Sequence, residues 1–238
     1  MNTTPPDLVD RTIKVFDRQY RARGFGSQRT YPNESLIQFL ASRYFKLSSD
    51  DRAKVRVLEV GCGSGANLWM IAKEGFETHG IDSSAEGIAL AQKHLQEKWG
   101  VSAQLRQGSL LELPYPAAHF DVVVDVVSLQ HLDLRSSRQA LEEIARVLKR
   151  GGTFFSYRLS DQSVMREAGP RVDEVTLSDI TDARMPLAHN GATSFWSPFI
   201  AQRLYTPAGL TVDAVERVGR TYANGMFVEY LTIVGVRN

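Results

Sequence analysis

The stretch VRVLEVGCGSGANL, from Val55 to Leu68, constrains this chain more than any other. A β-branched apolar run passes through Glu59 and Val60. Three alternating glycines follow at Gly61, Gly63 and Gly65, and then a helix-forming sequence. Glycine has no Cβ and visits left-handed backbone freely. A strand that runs through such a turn into a helix therefore brings bare N–H groups close to a ligand.

Strand and helix patterns alternate from there. Val55–Val60 reads as a strand, Asn67–Lys73 as a helix closed by Gly75, and Glu77–Ile81 as a strand ending at Asp82. Ala85–Trp99 reads as a helix stopped by Gly100, Ser102–Gln107 as a strand, and Phe120–Val127 as an almost continuously apolar strand. Such a run suits a strand covered on both faces. Ser136–Leu148 reads as a helix ended by Gly151-Gly152, and Thr153–Tyr157 as a strand. The alternation implies a parallel sheet with helices on both sides. Upstream, Val9, Ile13, Phe16 and Tyr20 share one face of a helix over Leu8–Tyr20. Gly24–Ser27 breaks that helix and Asn33–Phe45 forms another, so the pair can cover a site. Arg158–Ser194 is long, polar and weakly periodic, as functional or disordered connections are. Ser197-Pro198 opens a short helix. Thr211–Val218 and Phe227–Val236 read as strands joined through Asn224-Gly225, so the sheet ends antiparallel.

The 238 residues suit one α/β domain with additions. A net charge of +1 offers no basic face for nucleic acid. Cys62 is the one cysteine; it reads as a small residue in a tight turn and rules out internal disulfides, which fits a reducing compartment. One Cys and five dispersed His build no metal cluster. The first fourteen residues lack the apolar core of a signal peptide, and no apolar run nears the ~20 residues of a membrane span. A cytoplasmic protein without membrane or nucleic-acid partners is expected; oligomeric state is unspecified.

Gly61, Gly63 and Ala66 also satisfy the dinucleotide fingerprint G-x-G-x-x-G/A, with Asp82 about twenty residues on. The glycines alone leave an NAD-dependent dehydrogenase open. A dinucleotide fold, however, keeps a parallel sheet, and this chain ends in a hairpin. Glu59 with GCGSG resembles motif I of the class I S-adenosylmethionine (SAM) methyltransferases. HGIDSS, QGSLLELPYPAAHFDVVV, LQHL and LEEIARVLKRGG resemble further motifs of that family, in order, over roughly residues 55–160. GFG…YP near Gly24–Pro32 and RTYANG at Arg220–Gly225 look like a small-molecule subgroup, of the type 11/25-like methyltransferases. The resemblance implies a Rossmann-like α/β fold: a seven-stranded sheet, mostly parallel, with an antiparallel C-terminal hairpin strand. It implies one methyltransferase domain over 1–238, with a helical cap at 1–50, a SAM-binding core at 51–160, an insert or lid at 161–196 and a C-terminal helix and hairpin at 197–238.

The resemblance further implies SAM as cofactor and S-adenosylhomocysteine as product, with no metal. Asp82 would accept from the ribose hydroxyls, and Gly61, Cys62, Gly63 and Gly65 would pass under the methionine part. Glu59 would bond turn N–H groups and water near the amino group. Ser83 would lie beside the adenine, with Gly108, Ser109 and Leu110 around its edge. The family usually has Asp where Ser109 stands, so that contact lacks a charge here. Asp125 or Val126 would offer a carbonyl to the amino group, while the Asp125 side chain either orients substrate or holds loop backbone. Tyr31 is a possible cofactor contact. His131, in LQHL, is the candidate general base, or a residue that caps or fills space. The expected reaction is in-line methyl transfer to a small-molecule hydroxyl, amine or carbon. A methyltransferase acting on RNA or protein is one alternative, weakened by near-neutral charge and the lack of N-P-P-[YF]; a non-catalytic SAM-binding protein is another, to which Ser109 lends weight. The acids of the insert, Asp161 to Asp182, read as a solvated loop.

Overall fold

The computed structural model describes residues 5–238. The stretch scanned for a signal peptide begins at Met1–Thr4, outside the described residues.

Seven strands form one sheet: β1 (Arg56–Val60), β2 (Glu77–Asp82), β3 (Gln104–Gln107), β4 (Phe120–Val126), β5 (Leu148–Leu159), β8 (Leu210–Thr221) and β9 (Phe227–Arg237). Two-residue strands β6 (Thr176–Leu177) and β7 (Thr193–Ser194) pair separately. The order is β3-β2-β1-β4-β5-β9-β8. β1 pairs parallel to β2 on one side and to β4 on the other, so the winding reverses at β1. β9 is antiparallel to both β5 and β8. This is the Rossmann-like, mostly parallel sheet with an antiparallel hairpin strand. Its switch point between β1 and β4 opens a crevice at the strands' carboxyl ends.

Among the described residues there are seven α-helices: α1 (Pro5–Arg23), α2 (Glu34–Tyr44), α3 (Ser49–Arg52), α4 (Leu68–Lys73), α5 (Ala85–Lys93), α6 (Leu134–Val147) and α7 (Pro198–Tyr205). Alternate strand residues divide between the two faces. Leu58, Val123 and Phe154 pack with Leu141 and Ile144 of α6 and Leu204 of α7. Val57, Val122, Val124 and Phe155 pack on the other side with Leu36 and Leu40 of α2 and Ile71 of α4. Each such buried side chain contributes about 1.5–3 kcal/mol. The valine run of β4 is thereby explained, since both of its faces are covered.

Three local expectations are corrected. The Ala85–Trp99 helix is α only to Lys93, and His94–Trp99 forms a wider π-turn closed by Gly100 at φ +61°. Stacking of Trp99 on Trp69 at 3.6 Å and a 3.0 Å hydrogen bond from His94 Nδ1 to the Ser64 carbonyl hold that turn. Gly151-Gly152 does not end α6. The chain enters β5 at Leu148, opposite Phe120, and resumes pairing at Thr153 opposite Val122. The glycines form the intervening bulge, where Gly151 takes φ +74° and a Cβ on Gly152 would sit 2.8 Å from the Lys149 carbonyl. The segment Arg158–Ser194 is not a solvated loop. Met165, Leu177, Ile180 and Phe195 give it a core, and Asp173 accepts backbone bonds from Leu134, Val175 and Thr176. Its other acids pair with Arg217, Arg171, Arg203 and Arg184 or bind the Gly191 N–H. Among the described residues no helix is long and apolar enough to cross a membrane.

Candidate functional site

A cavity of about 250 Å³ opens at the β1–β4 switch point. The glycine turn forms its floor. Gly61 and Gly63 take φ +65° and +49°. A Cβ on Gly61 would fall 2.2 Å from Ser128 Cβ, and one on Gly63 would fall 2.6 Å from Tyr20 Oη. Gly65 serves packing: its Cβ would meet Leu95 and Ala91 beneath α5. The 3.0 Å contact of His94 with the Ser64 carbonyl clamps the turn from below.

Two carboxyl groups face this floor. Asp82, at the end of β2, accepts from the Gly63 N–H through Oδ2 and the Ser84 N–H through Oδ1, both at 2.8 Å. One lone pair per oxygen remains for a ligand. Burial raises its pKa and these two bonds oppose the rise. Glu59 differs from expectation: it bonds no turn N–H. Its Oε1 accepts from Asn67 Nδ2 at 2.5 Å, while Oε2 is buried without a partner. Burial pushes its pKa up to about 8, against the pull of Asn67 and Arg29. Arg29 also lines the cavity and keeps open surface there. The surrounding protein lowers its pKa, and Glu59 leads the charges that counter this.

Of the other expected site residues, Cys62, Ser83, Ser109, Leu110, Val126 and His131 line the cavity with Glu59, Gly61, Gly63 and Asp82. Burial raises the Cys62 thiol, so it is a packed, protonated group. Ser109 Oγ accepts from the Leu111 N–H at 3.0 Å, which consumes one of its lone pairs. Gly65, Gly108, Asp125 and Tyr31 lie outside the lining. Gly108 packs on Ile81, which a Cβ would approach to 2.9 Å. Asp125 is fully buried and accepts from Ser128 N, Ser128 Oγ, Leu129 N and Ser156 Oγ, so its side chain holds loop backbone. Tyr31 is 60% exposed and rests against Trp69 and Trp99 on the outer surface.

α1 roofs the cavity with Val9, Thr12, Ile13, Phe16, Gln19 and Tyr20, the face predicted from its spacing with two polar additions. It is tied down at several points. Ser84 Oγ donates to Asp17 at 2.8 Å, Gln19 Nε2 donates to Asn190 Oδ1 at 2.7 Å, and the Ala192 N–H donates to Thr12 Oγ1 at 3.0 Å. His131 sits under this roof, its ring edge-on to Phe16 at 4.8 Å. Its Nδ1 bonds the Ala192 carbonyl at 2.7 Å, and burial pulls its pKa down to about 4. The imidazole is therefore neutral at pH 7. A group so weakly basic accepts a proton less readily than a free imidazole, which weighs against the general-base expectation.

Sequence reasoning passed over Arg29 and Asn67. A single Arg in a loop has no periodic signal, and Asn67 read as a helix start. The usable hint for Arg29 is its place in the GFG…YP element, two residues before Tyr31.

The methyltransferase domain family matches residues 57–152. An uncharacterized methyltransferase of Bacillus subtilis, YcgJ, is 32% identical over 107 residues, or 45% of this chain and 42% of that protein. The demethylmenaquinone methyltransferase of Lactiplantibacillus plantarum is 32% identical over 149 residues, or 60% of this chain and 57% of that protein. The chain thus spans about half the length of these curated relatives. A SAM-dependent methyltransferase structure from Methanosarcina mazei superposes with a TM-score of 0.68 at 18% identity, covering 87% of this chain and 98% of that one. At that identity the likeness speaks for the fold. With the sheet order, the glycine turn and these matches in hand, the chain has the fold of the SAM-dependent methyltransferases and carries, over residues 57–152, a stretch similar to the methyltransferase domain.

Proposed function

We propose that this protein binds S-adenosylmethionine in the cavity beneath α1 and transfers its methyl group to a small molecule. The observation that carries the reading is one floor with three features: a turn with no room for a Cβ at Gly61 or Gly63, a backbone-anchored Asp82 and an unpartnered buried Glu59 Oε2. These fit the cofactor's parts. Asp82 has lone pairs for a ribose diol, and charge-assisted bonds of that kind are strong. Glu59 Oε2 suits the ammonium of the amino-acid head and Arg29 its carboxylate. Ser83, Ser109 and Leu110 border the space left for the adenine. When bound, the cofactor supplies a methyl group on a positively charged sulfur, ready for displacement by a nucleophile.

The chain's own residues then hold and shield. α1 and the ordered insert exclude water, and positioning of two reactants can supply ~7–11 kcal/mol of barrier reduction. His131, neutral at pH 7, orients the acceptor through a hydrogen bond. Closure of the cavity by α1 and the insert favours a small acceptor over RNA or a protein, and the name of the demethylmenaquinone relative points the same way. The lone buried cysteine fits a cytoplasmic setting.

Calorimetric titration with S-adenosylhomocysteine tests the reading. Wild type should bind in the micromolar range, and Asp82→Ala should lose at least tenfold. No binding by folded wild type, or equal binding by the variant, would refute it.

A further inference from the structure

The charges around the cavity are unevenly placed. Among the described residues Glu59, Asp82 and Arg29 are the carboxyl and guanidinium side chains on its wall. Glu59 and Asp82 end β1 and β2, and Arg29 answers first to Glu59. The compartment under α1 between Val9 and Phe16 has a different chemistry. Val9 packs there with Leu110, Leu111 and Leu132 in one apolar cluster, and Phe16 faces His131. The acids of the insert turn away to arginines and backbone N–H groups, and none lines the cavity.

One polar atom in this compartment is oriented and available. A carbonyl can only accept, so the 2.7 Å contact with the Ala192 oxygen puts the hydrogen of His131 on Nδ1. Nε2 is left as an acceptor. The side chain near it is the Gln130 amide at 3.4 Å, a long contact that leaves the lone pair open to a better donor. A carboxylate or phosphate here would lose its hydration and meet an acceptor atom and apolar walls, which is costly. An uncharged ring would lose little, and a hydroxyl on it would gain a partner.

We propose that the compartment under α1 takes an uncharged, largely apolar acceptor that presents a single hydrogen-bond donor to His131 Nε2. This rests on the cofactor reading above, and His131 is the specificity-determining residue for that acceptor.

The test uses the full chain saturated with S-adenosylhomocysteine and three probes of one shape: 2-naphthol, 2-methoxynaphthalene and 2-naphthoate. Naphthol should bind at least tenfold tighter than naphthoate and about fivefold tighter than the ether. His131→Phe should erase the preference of naphthol over ether while keeping the ether's affinity. Should that variant not fold, the ¹⁵N resonance of His131 Nε2 in wild type serves instead, and it should shift with naphthol and not with the ether. Naphthoate binding as tightly as naphthol, an unmoved Nε2 resonance, or no binding of any probe to the saturated protein would overturn the inference and leave the cofactor reading standing. Failure of S-adenosylhomocysteine itself to bind would bring down the cofactor reading, and this inference with it.

Discussion

Glu59 shows what single residues contribute. Its carboxyl is buried, its Oε2 has no partner, and its pKa rises from 4.5 to about 8. The groups that act on it are Asn67, Arg29, Asp125 and Asp82, and burial outweighs them all. Between those two values the unfolded chain has released a proton that the folded one keeps, so stability falls as pH rises from 4.5 to 8. Glu59→Gln keeps the acceptor for Asn67 and removes the titration. We expect the variant to match wild type near pH 4.5 and to exceed it at pH 8 by about 2 kcal/mol, or roughly 4–8 °C in Tm. Thermal melts across that range check this. A ligand ammonium favours ionised Glu59, so wild-type affinity for S-adenosylhomocysteine should rise between pH 6 and 8, with proton release that calorimetry in two buffers detects. For His131 the sign is opposite. Burial lowers its pKa to about 4, so the rate of methyl transfer should show no inflection from this group between pH 6 and 7. Gly61→Ala would place a Cβ against Ser128 at φ +65° and should cost about 3 kcal/mol by chemical denaturation.

At the scale of elements, α1 and the insert act as one cover. Thr12 Oγ1 donates to the Leu8 carbonyl and accepts from the Ala192 N–H, so it joins the helix to the insert. Thr12→Val keeps the shape and strands that N–H. We expect a loss of about 1–3 kcal/mol and faster hydrogen exchange at Ala192 and along α1, with β1 unchanged. How legible these elements were differs with their physics. The α1 face was readable because Val9, Ile13, Phe16 and Tyr20 repeat at helical spacing, and the same four line the cavity. α7 was readable from Ser197-Pro198, a cap followed by a first-turn proline. The insert was not, because its order comes from a small apolar core and from contacts with remote parts of the chain, such as Leu134 N–H to Asp173, Arg203 to Glu174 and Arg217 to Asp161. The π-turn at His94–Trp99 was hidden too, since it depends on a Trp69–Trp99 stack between two elements.

For the whole molecule, the sheet sets where chemistry can occur. Strand alternation and the final hairpin were visible as patterns of period, because the central strands β1, β2 and β4 of the parallel core are buried almost throughout. The site was visible only in part. Residues tied to the strand ends, Glu59, Asp82 and the glycine turn, fall on the cavity as their positions in the pattern imply. Asp125 and Tyr31 had suitable chemistry, but their direction is fixed by tertiary contacts: Asp125 turns into the Ser128–Ser156 network, and Tyr31 turns out to the tryptophans. Arg29 reaches the cavity from a loop for the same reason. The hairpin also closes the sheet, since β9 pairs with β5 over Thr153–Leu159. A chain ended at Gly209 would bare that edge, and it should aggregate rather than give a soluble core, as centrifugation and circular dichroism would report.

The most direct measurement is a crystal structure with S-adenosylhomocysteine bound. The ribose diol should lie on Asp82, the amino-acid head between Glu59 and Arg29, and the sulfur should point toward the compartment of Phe16 and His131. A ligand bound outside the cavity, or inside it with the ribose away from Asp82, would contradict the account.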